Sequence, residues 1–156
     1  MAKAGWYERK GEKTIHVAYL DKKANEFEKL LNGEKTMLIR GANGRKLPYG
    51  RVFENEEIYF ICNDGSGKII AKGVTGKITE SGKMEDENQI KEFIEKFKNG
   101  LNLSDLQYKR WREKKYLVII EIKNFEKINP MNLDHKNNMD DWILVSDIND
   151  IIMKQQ

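Results

Sequence analysis

Between Gly33 and Val52 the chain reads GEKTMLIRGANGRKLPYGRV, and after Glu34 no acidic residue appears until Glu54. The segment carries Lys35, Arg40, Arg45, Lys46 and Arg51, whereas acids and bases are thoroughly mixed elsewhere. Its residue types suit a polyanion. Cations neutralise phosphates, and the backbone N–H groups of the Gly41-Ala-Asn-Gly44 turn can approach an anion closely. Tyr49 and Phe53 stand among the bases, and ring faces stack on unpaired nucleobases at about 1–3 kcal/mol each. A solvated loop with two packed aromatics explains the same residues, and Lys35 directly after a helix end is favoured by the helix dipole alone.

A second basic–aromatic cluster, Lys109-Arg110-Trp111-Arg112 with Lys114 and Lys115, lies further on. On a helix Arg110 and Lys114 share one face and Trp111 and Lys115 the next. Trp111 suits a core plug better than a stacking platform. If this helix lies beside the Gly41–Arg51 loop, their cations make one positive surface. Trp6, Tyr7 and Trp142 are further aromatics able to wall a base-sized pocket.

Other reactive side chains point elsewhere. His16 and His135 share no spacing with a carboxylate that suggests a metal, and His16 alternates with Ala18 and Leu20 as a packed strand residue does. Cys62 ends an apolar strand and reads as a small core residue, with no base placed beside it. Asp140-Asp141 before Trp142 suits a turn cap better than a cation site, because adjacent carboxylates alternate sides in extended chain. Glu85 and Glu87 complement the dipole of the helix they begin. No metal site and no cofactor motif is expected.

The elements that must position these residues follow from periodicity. Ile15–Leu20 reads as a strand and DKKANEFEKLLNG as a short helix, with Asp21 as its N-cap, an apolar stripe of Ala24, Phe27, Leu30 and Leu31, and a left-handed stop at Asn32-Gly33. Thr36–Arg40 is β-like, with Met37 and Ile39 on one face and Leu38 and Arg40 on the other. Gly41–Gly50 reads as a loop. Glu57–Cys62 and Lys68–Thr79 are strands, and Gly73 and Gly76 inside the second imply bulges in a tightly curved sheet. Asp86–Lys98 is a helix with a capping box at Asp86 and Gln89, ended by Gly100; Ser104 and Gln107 repeat the box before a short helix carrying Trp111, with Leu103 stapled to Tyr108. Tyr116–Ile122 is the most apolar strand, expected at the centre; Asp134–Asp141 is a polar loop, Trp142–Val145 a last strand, and Ser146 caps a terminal helical turn.

At 156 residues with no repeat or linker the chain is expected to be one domain, over residues 1–156. Its class is α+β, a curved mixed sheet with flanking helices and a helical insert at about 85–113. A net charge of +3 excludes a bulk polycation, so any electrostatic footprint is local. One cysteine permits no internal disulfide, which suits a reducing compartment. The opening MAKAGWYERKG has no apolar h-region, and the longest apolar run, Tyr116–Ile120, is too short to span a bilayer. A cytoplasmic protein with no membrane contact is expected. Nothing here sets the oligomeric state.

A helix ending in leucines, then Gly33-Glu-Lys35-Thr-Met-Leu38-Ile-Arg40, resembles the signature G-x-K-x-x-E-x-R of the ASCH family of PUA-like domains. Gly33, Lys35 and Arg40 match; Leu38 stands where the family has Glu or, in some members, Thr. The order of elements from about Ile15 to Val145 is similar too. The resemblance implies a small curved β-barrel with flanking helices that binds RNA or reads a modified base in a pocket at the barrel's side. It implies Lys35 at the mouth of that pocket and Arg40 on a phosphate or under the cleft floor. Some members are instead amidohydrolases on N4-acylated cytidine, or ribonucleases; by the resemblance, Lys35 with Glu85 or Glu87 would then do the chemistry. A leucine at position 38 neither donates nor accepts a proton, which argues against carrying that activity over. The reading is an RNA- or single-stranded-nucleotide-binding domain using Lys35, Arg40, Gly41, Gly44, Arg45, Lys46, Tyr49, Arg51, Arg110 and Trp111. The alternatives are the ASCH-type enzyme and a protein-interaction module built on the helical insert.

Overall fold

The computed structural model describes residues 14–44, 46–133, 141–150 and 152. Arg45, Trp6, Tyr7, His135 and Asp140 lie outside these, as does most of the polar loop expected at Asp134–Asp141. The strands are β1 (Ile15–Leu20), β2 (Met37–Ala42), β3 (Glu57–Cys62), β4 (Lys68–Glu80), β5 (Tyr116–Asn132) and β6 (Trp142–Val145). The helices are α1 (Glu26–Asn32), α2 (Glu87–Glu95), α3 (Lys98–Leu101) and α4 (Asp105–Trp111), with a 3-10 turn at Ile148–Asp150. The strands form one mixed sheet in the order β2-β5-β4-β3-β1-β6, with β1 and β3 parallel and the other neighbours antiparallel.

The sheet curls into a half-barrel because β4 and β5 slip register three times, among them between Lys72 and Val74 and between Thr75 and Ile78. Gly73 and Gly76 sit at these shifts, as their sequence positions imply. A Cβ at Gly76 would stand on the Glu121 carboxylate, and one at Gly73 would lie 3.0 Å from Lys123 O. Each extra residue bends its strand and increases the twist. Inside the curl Ala18, Leu20, Leu38, Ile58, Phe60, Val118, Ile120 and Trp142 form the main core. On the outer face of β2 and β5, Ile39, Leu117 and Ile119 pack against Ile90, Ile94, Leu101 and Trp111 from the helices. Two-sided burial explains why Tyr116–Ile120 is apolar at every position rather than alternating.

Both capping boxes form, at Asp86 with Gln89 and at Ser104 with Gln107. Other boundaries move. α1 starts at Glu26 after a left-handed Asn25, and Asp21 instead accepts from Ala24 N in the turn ahead of it at 3.2 Å. The helix expected to run to Lys98 stops at Glu95, and a separate turn, α3, ends on left-handed Asn102 rather than at Gly100. β5 extends to Asn132 and lies second from the sheet edge, with β2 outside it.

Gly41 is the largest departure from the sequence reading. It is a rung of the β2–β5 ladder opposite Leu117, not part of an open turn. A Cβ there would overlap Leu117 Cδ2 and lie 2.5 Å from Tyr116 O. Gly41→Ala is therefore expected to lower stability by about 1–3 kcal/mol through overpacking, read as a shift of the urea midpoint. Unchanged stability would mean that β2 and β5 do not meet so closely.

Candidate nucleic-acid interface

The chain leaving α1 turns at Gly33 (φ 85°) and passes between that helix and α3. Lys35 N donates to Lys29 O at 3.0 Å, Thr36 N to Gly100 O at 2.8 Å, and Asn102 Nδ2 to Glu34 O at 3.1 Å. These bonds carry Lys35 inward, so that it is only 1% exposed. Its ammonium donates to Leu101 O and stands 3.4 Å from Glu26 Oε2. Glu26, at 2% exposure, accepts from Asp21 N at 2.8 Å through its other oxygen.

Burial works against both charges. For Glu26, burial pushes the carboxyl upward, but the Arg40 and Lys35 charges, with the Asp21 N–H and the Gln107 amide, hold it below the usual carboxylate range. For Lys35, burial dominates and lowers the ammonium to about 8; Glu26 opposes the shift, and Arg40 and Lys29 add to it.

Arg40 follows Leu38 on the same face of β2 and is also buried. Its guanidinium donates to Ile39 O at 2.8 Å and Tyr19 O at 2.6 Å and lies 5.6 Å from the centre of the Trp142 ring. Arg40 Nε makes no hydrogen bond, and the Asp141 carboxylate approaches it at 3.7 Å. Trp142 is itself anchored, since its Nε1–H donates to His16 Nδ1 at 3.0 Å. That bond leaves the proton on His16 Nε2, which faces Glu56 Oε1 at 2.8 Å. His16 is thus a fully buried packing residue, as its alternation with Ala18 and Leu20 implies.

Glu26 and Arg40 look into a cleft of about 720 Å³ between the β1–α1 turn and α4. Gln107 and Trp111 form its α4 wall, and Asp141 closes one side. Its rim carries Lys22, Lys23, Lys109 and Arg110, none in an ion pair with a described residue. The acids Asp21, Asp105 and Glu113 line it as well, and exposed Leu106 stands next to Asp105. A cavity of this size falls within the range that takes a nucleotide-sized ligand.

The structure brings together Arg40, Arg110 and Trp111 from the residues singled out in sequence. Trp111 is 7% exposed and packs in the helical core, with the Arg110 guanidinium 5.8 Å from its ring centre, so it serves as the cleft wall rather than an open stacking face. Lys35 is not at the mouth. It lies behind Glu26, held by the α3 carbonyl. Gly41, Gly44, Lys46, Tyr49 and Arg51 do not line this cleft. Tyr49 is buried in the main core, edge-on to Tyr116 at 5.5 Å, with its hydroxyl accepting from Gly82 N at 2.8 Å. Gly44 and Lys46 are exposed, and Arg51 is half-buried in the turn after Pro48. Glu85 and Glu87 are exposed and do not line the cleft; Glu85 pairs with Lys83 at 3.8 Å, and Glu87 with Lys91 at 3.9 Å and Arg112 at 3.8 Å. Leu38 is fully buried in the main core.

Sequence reasoning missed Glu26, Gln107 and the rim lysines 22 and 23, while Lys109 belongs to the basic–aromatic cluster read in the sequence. Glu26 left a signal: it stands four residues before buried Leu30, an acid on the inward stripe of a helix. Gln107 was legible as the end of a capping box, but its second duty toward Glu26 was not.

The fold has solved counterparts. The crystal structure of ASCH from Zymomonas mobilis aligns over 84% of this chain and 87% of that one, with a TM-score of 0.61 and 16% identity. A single-substitution variant of that protein aligns over 77% and 76%, with a TM-score of 0.57 and 20% identity. This chain has the ASCH fold. The likeness is one of architecture, a curled mixed half-barrel sheet with a few helices. No protein-family model and no curated protein matches the sequence. Within the ASCH fold, Gly33 is the left-handed helix stop, Lys35 the buried amine and Arg40 the cation under the cleft. Among the described residues no group of three or more His, Cys, Asp or Glu could hold a metal, and no helix is long and apolar enough to cross a membrane.

Proposed function

We propose that this ASCH-fold chain binds single-stranded RNA or a related nucleotide, with one nucleotide seated in the cleft between the β1–α1 turn and α4. The observation that carries the reading is a nucleotide-sized cleft floored by buried Arg40 and rimmed by Lys22, Lys23, Lys109 and Arg110. The rim cations hold the flanking phosphates. The acid Glu26, ionised inside, and the amide Gln107 offer acceptor and donor groups to a base edge. Charge and shape do the work, since no recognition-helix motif is read in the sequence.

The test is a titration of the protein with single-stranded RNA over a range of salt. Four rim contacts with phosphate predict that log K falls by about 3 per decade of salt, at about 0.7 per contact on a single strand. A flat response would remove the proposal.

One observation favours a second reading, an ASCH-type enzyme acting on N4-acylated cytidine or on RNA. Lys35 is a buried amine lowered to about 8 beside a carboxylate that faces the cleft, the environment that tunes a lysine for proton transfer. Its partner would be Glu26 rather than Glu85 or Glu87. Turnover of N4-acetylcytidine or short RNAs that disappears in Lys35→Ala would replace the binding reading with this one.

A further inference from the structure

The base-rich segment that stands out in the sequence lies largely outside the cleft, and its cations need another account. The β2–β5 ladder ends with Ala42 opposite Tyr116. Just beyond it, Asn43 Oδ1 accepts from Lys115 N at 3.4 Å, and a Cβ on Gly41 would lie 3.4 Å from the Cβ of Lys114. Lys115 O accepts in turn from Met84 N at 2.9 Å, so its backbone is held from both sides. The turn after β2 and the α4–β5 connection therefore lie side by side. Lys114 N donates to Trp111 O at 3.1 Å, which joins this surface to the last turn of α4, where Arg110 borders the cleft.

We propose that Lys46, Lys114 and Lys115 form a ridge that carries the phosphodiester backbone of a single-stranded nucleic acid beyond the nucleotide seated in the cleft. The inference rests on the cleft reading above and extends it from one nucleotide to a chain. Lys46 and Lys115 are exposed, Lys114 is half-buried, and none forms an ion pair with a described residue. Glu80 accepts from Gly50 N, Glu85 pairs with Lys83 at 3.8 Å, and Glu113 lines the cleft. Tyr49, the aromatic of this turn, is buried with its hydroxyl engaged. The ridge thus offers charge without a stacking face. It reads the backbone and not the bases, and its contribution grows with strand length.

The experiment compares the native chain with a Lys46→Gln/Lys114→Gln/Lys115→Gln variant, titrated with uridine 5′-monophosphate and with an oligouridylate of about ten nucleotides. Oligomer affinity at low salt is expected to fall by about tenfold or more, and the salt slope by about 2, while mononucleotide affinity stays unchanged. Unchanged oligomer affinity and slope would overturn the ridge. So would a mononucleotide loss equal to the oligomer loss, because the ridge would then not be separate from the cleft. Loss of binding to polyglutamate with RNA untouched would overturn it in favour of an acidic protein partner. If the native chain binds the oligomer but no mononucleotide, and the variant still loses oligomer affinity, the cleft reading fails and the ridge stands. Thermal unfolding checks the fold; should the triple variant unfold, Lys46→Glu alone, at an exposed position, gives the same readout.

Discussion

The Lys35→Met variant is expected to be less stable than the native chain by about 3–5 kcal/mol at neutral pH, because it strands the Glu26 carboxylate in a dry interior. Lys35 and Glu26 are 1% and 2% exposed, and the lysine also satisfies Leu101 O. Removing both charges is a different matter. The double variant Glu26→Gln/Lys35→Met should recover most of the loss, since replacing a buried pair by neutral groups of similar volume is often close to neutral. Equal stability of native and Lys35→Met in urea would mean that the amine reaches solvent.

The same pair fixes a pH signature. Burial lowers the Lys35 ammonium from its ordinary 10.5 to about 8 in the folded chain. Between those values the unfolded chain holds a proton that the folded chain has released, so stability rises with pH across the window. The rise amounts to about 3 kcal/mol for this one group, and it should be absent from the stability curve of Lys35→Met, so that the native-minus-variant difference contains it. Glu26 acts at the acid end. Its carboxyl is held below the ordinary 4.5, so its contribution is complete above that value and is lost as pH falls through the lower folded value.

Arg40→Lys should weaken mononucleotide binding by about 10- to 100-fold, the equivalent of one or two charge-assisted hydrogen bonds. The side chain spans two carbonyls, Ile39 O and Tyr19 O, while lying over the Trp142 ring. A planar fork does this; a point charge on a flexible stem does not. The cation at the cleft floor would shift even though its charge is kept. Arg110→Ala removes a charge from the rim, and its effect should be smaller, appearing chiefly as a shallower salt dependence. Isotherms at two salt concentrations separate the two. Native-like binding by Arg40→Lys beside a large loss in Arg110→Ala would place the ligand on the rim alone.

Much of the architecture was legible before any coordinates. Two capping boxes, a left-handed stop at Gly33, and Gly73 and Gly76 at register shifts are local features set by a few neighbouring residues, and each appears where its pattern implies. The Gly33–Lys35–Arg40 spacing led to the ASCH fold for the same reason, since it records how one helix hands over to one strand. Boundaries were less legible. Asp21 looked like an N-cap, but a left-handed Asn25 set the start of α1 five residues later, because Asp21 N is bound to Glu26.

The site itself belonged to tertiary structure. Composition determined that any positive footprint must be local, and the glycines at 73 and 76 inside a strand that the sheet must be strongly curved. It did not determine which cations face a hollow, because that depends on what each strand and helix packs against. Lys35 looked like a surface base and is buried, since the crossing between α1 and α3 draws it toward Glu26. Gly41 looked like a loop residue and is a ladder rung, since β5 approaches too closely for a side chain. Lys22 and Lys23 looked like ordinary solvated lysines and rim the cleft together with Lys109, since the β1–α1 turn and α4 meet only in the folded chain. Local pattern sets local geometry; long-range packing chooses which charges share a cavity.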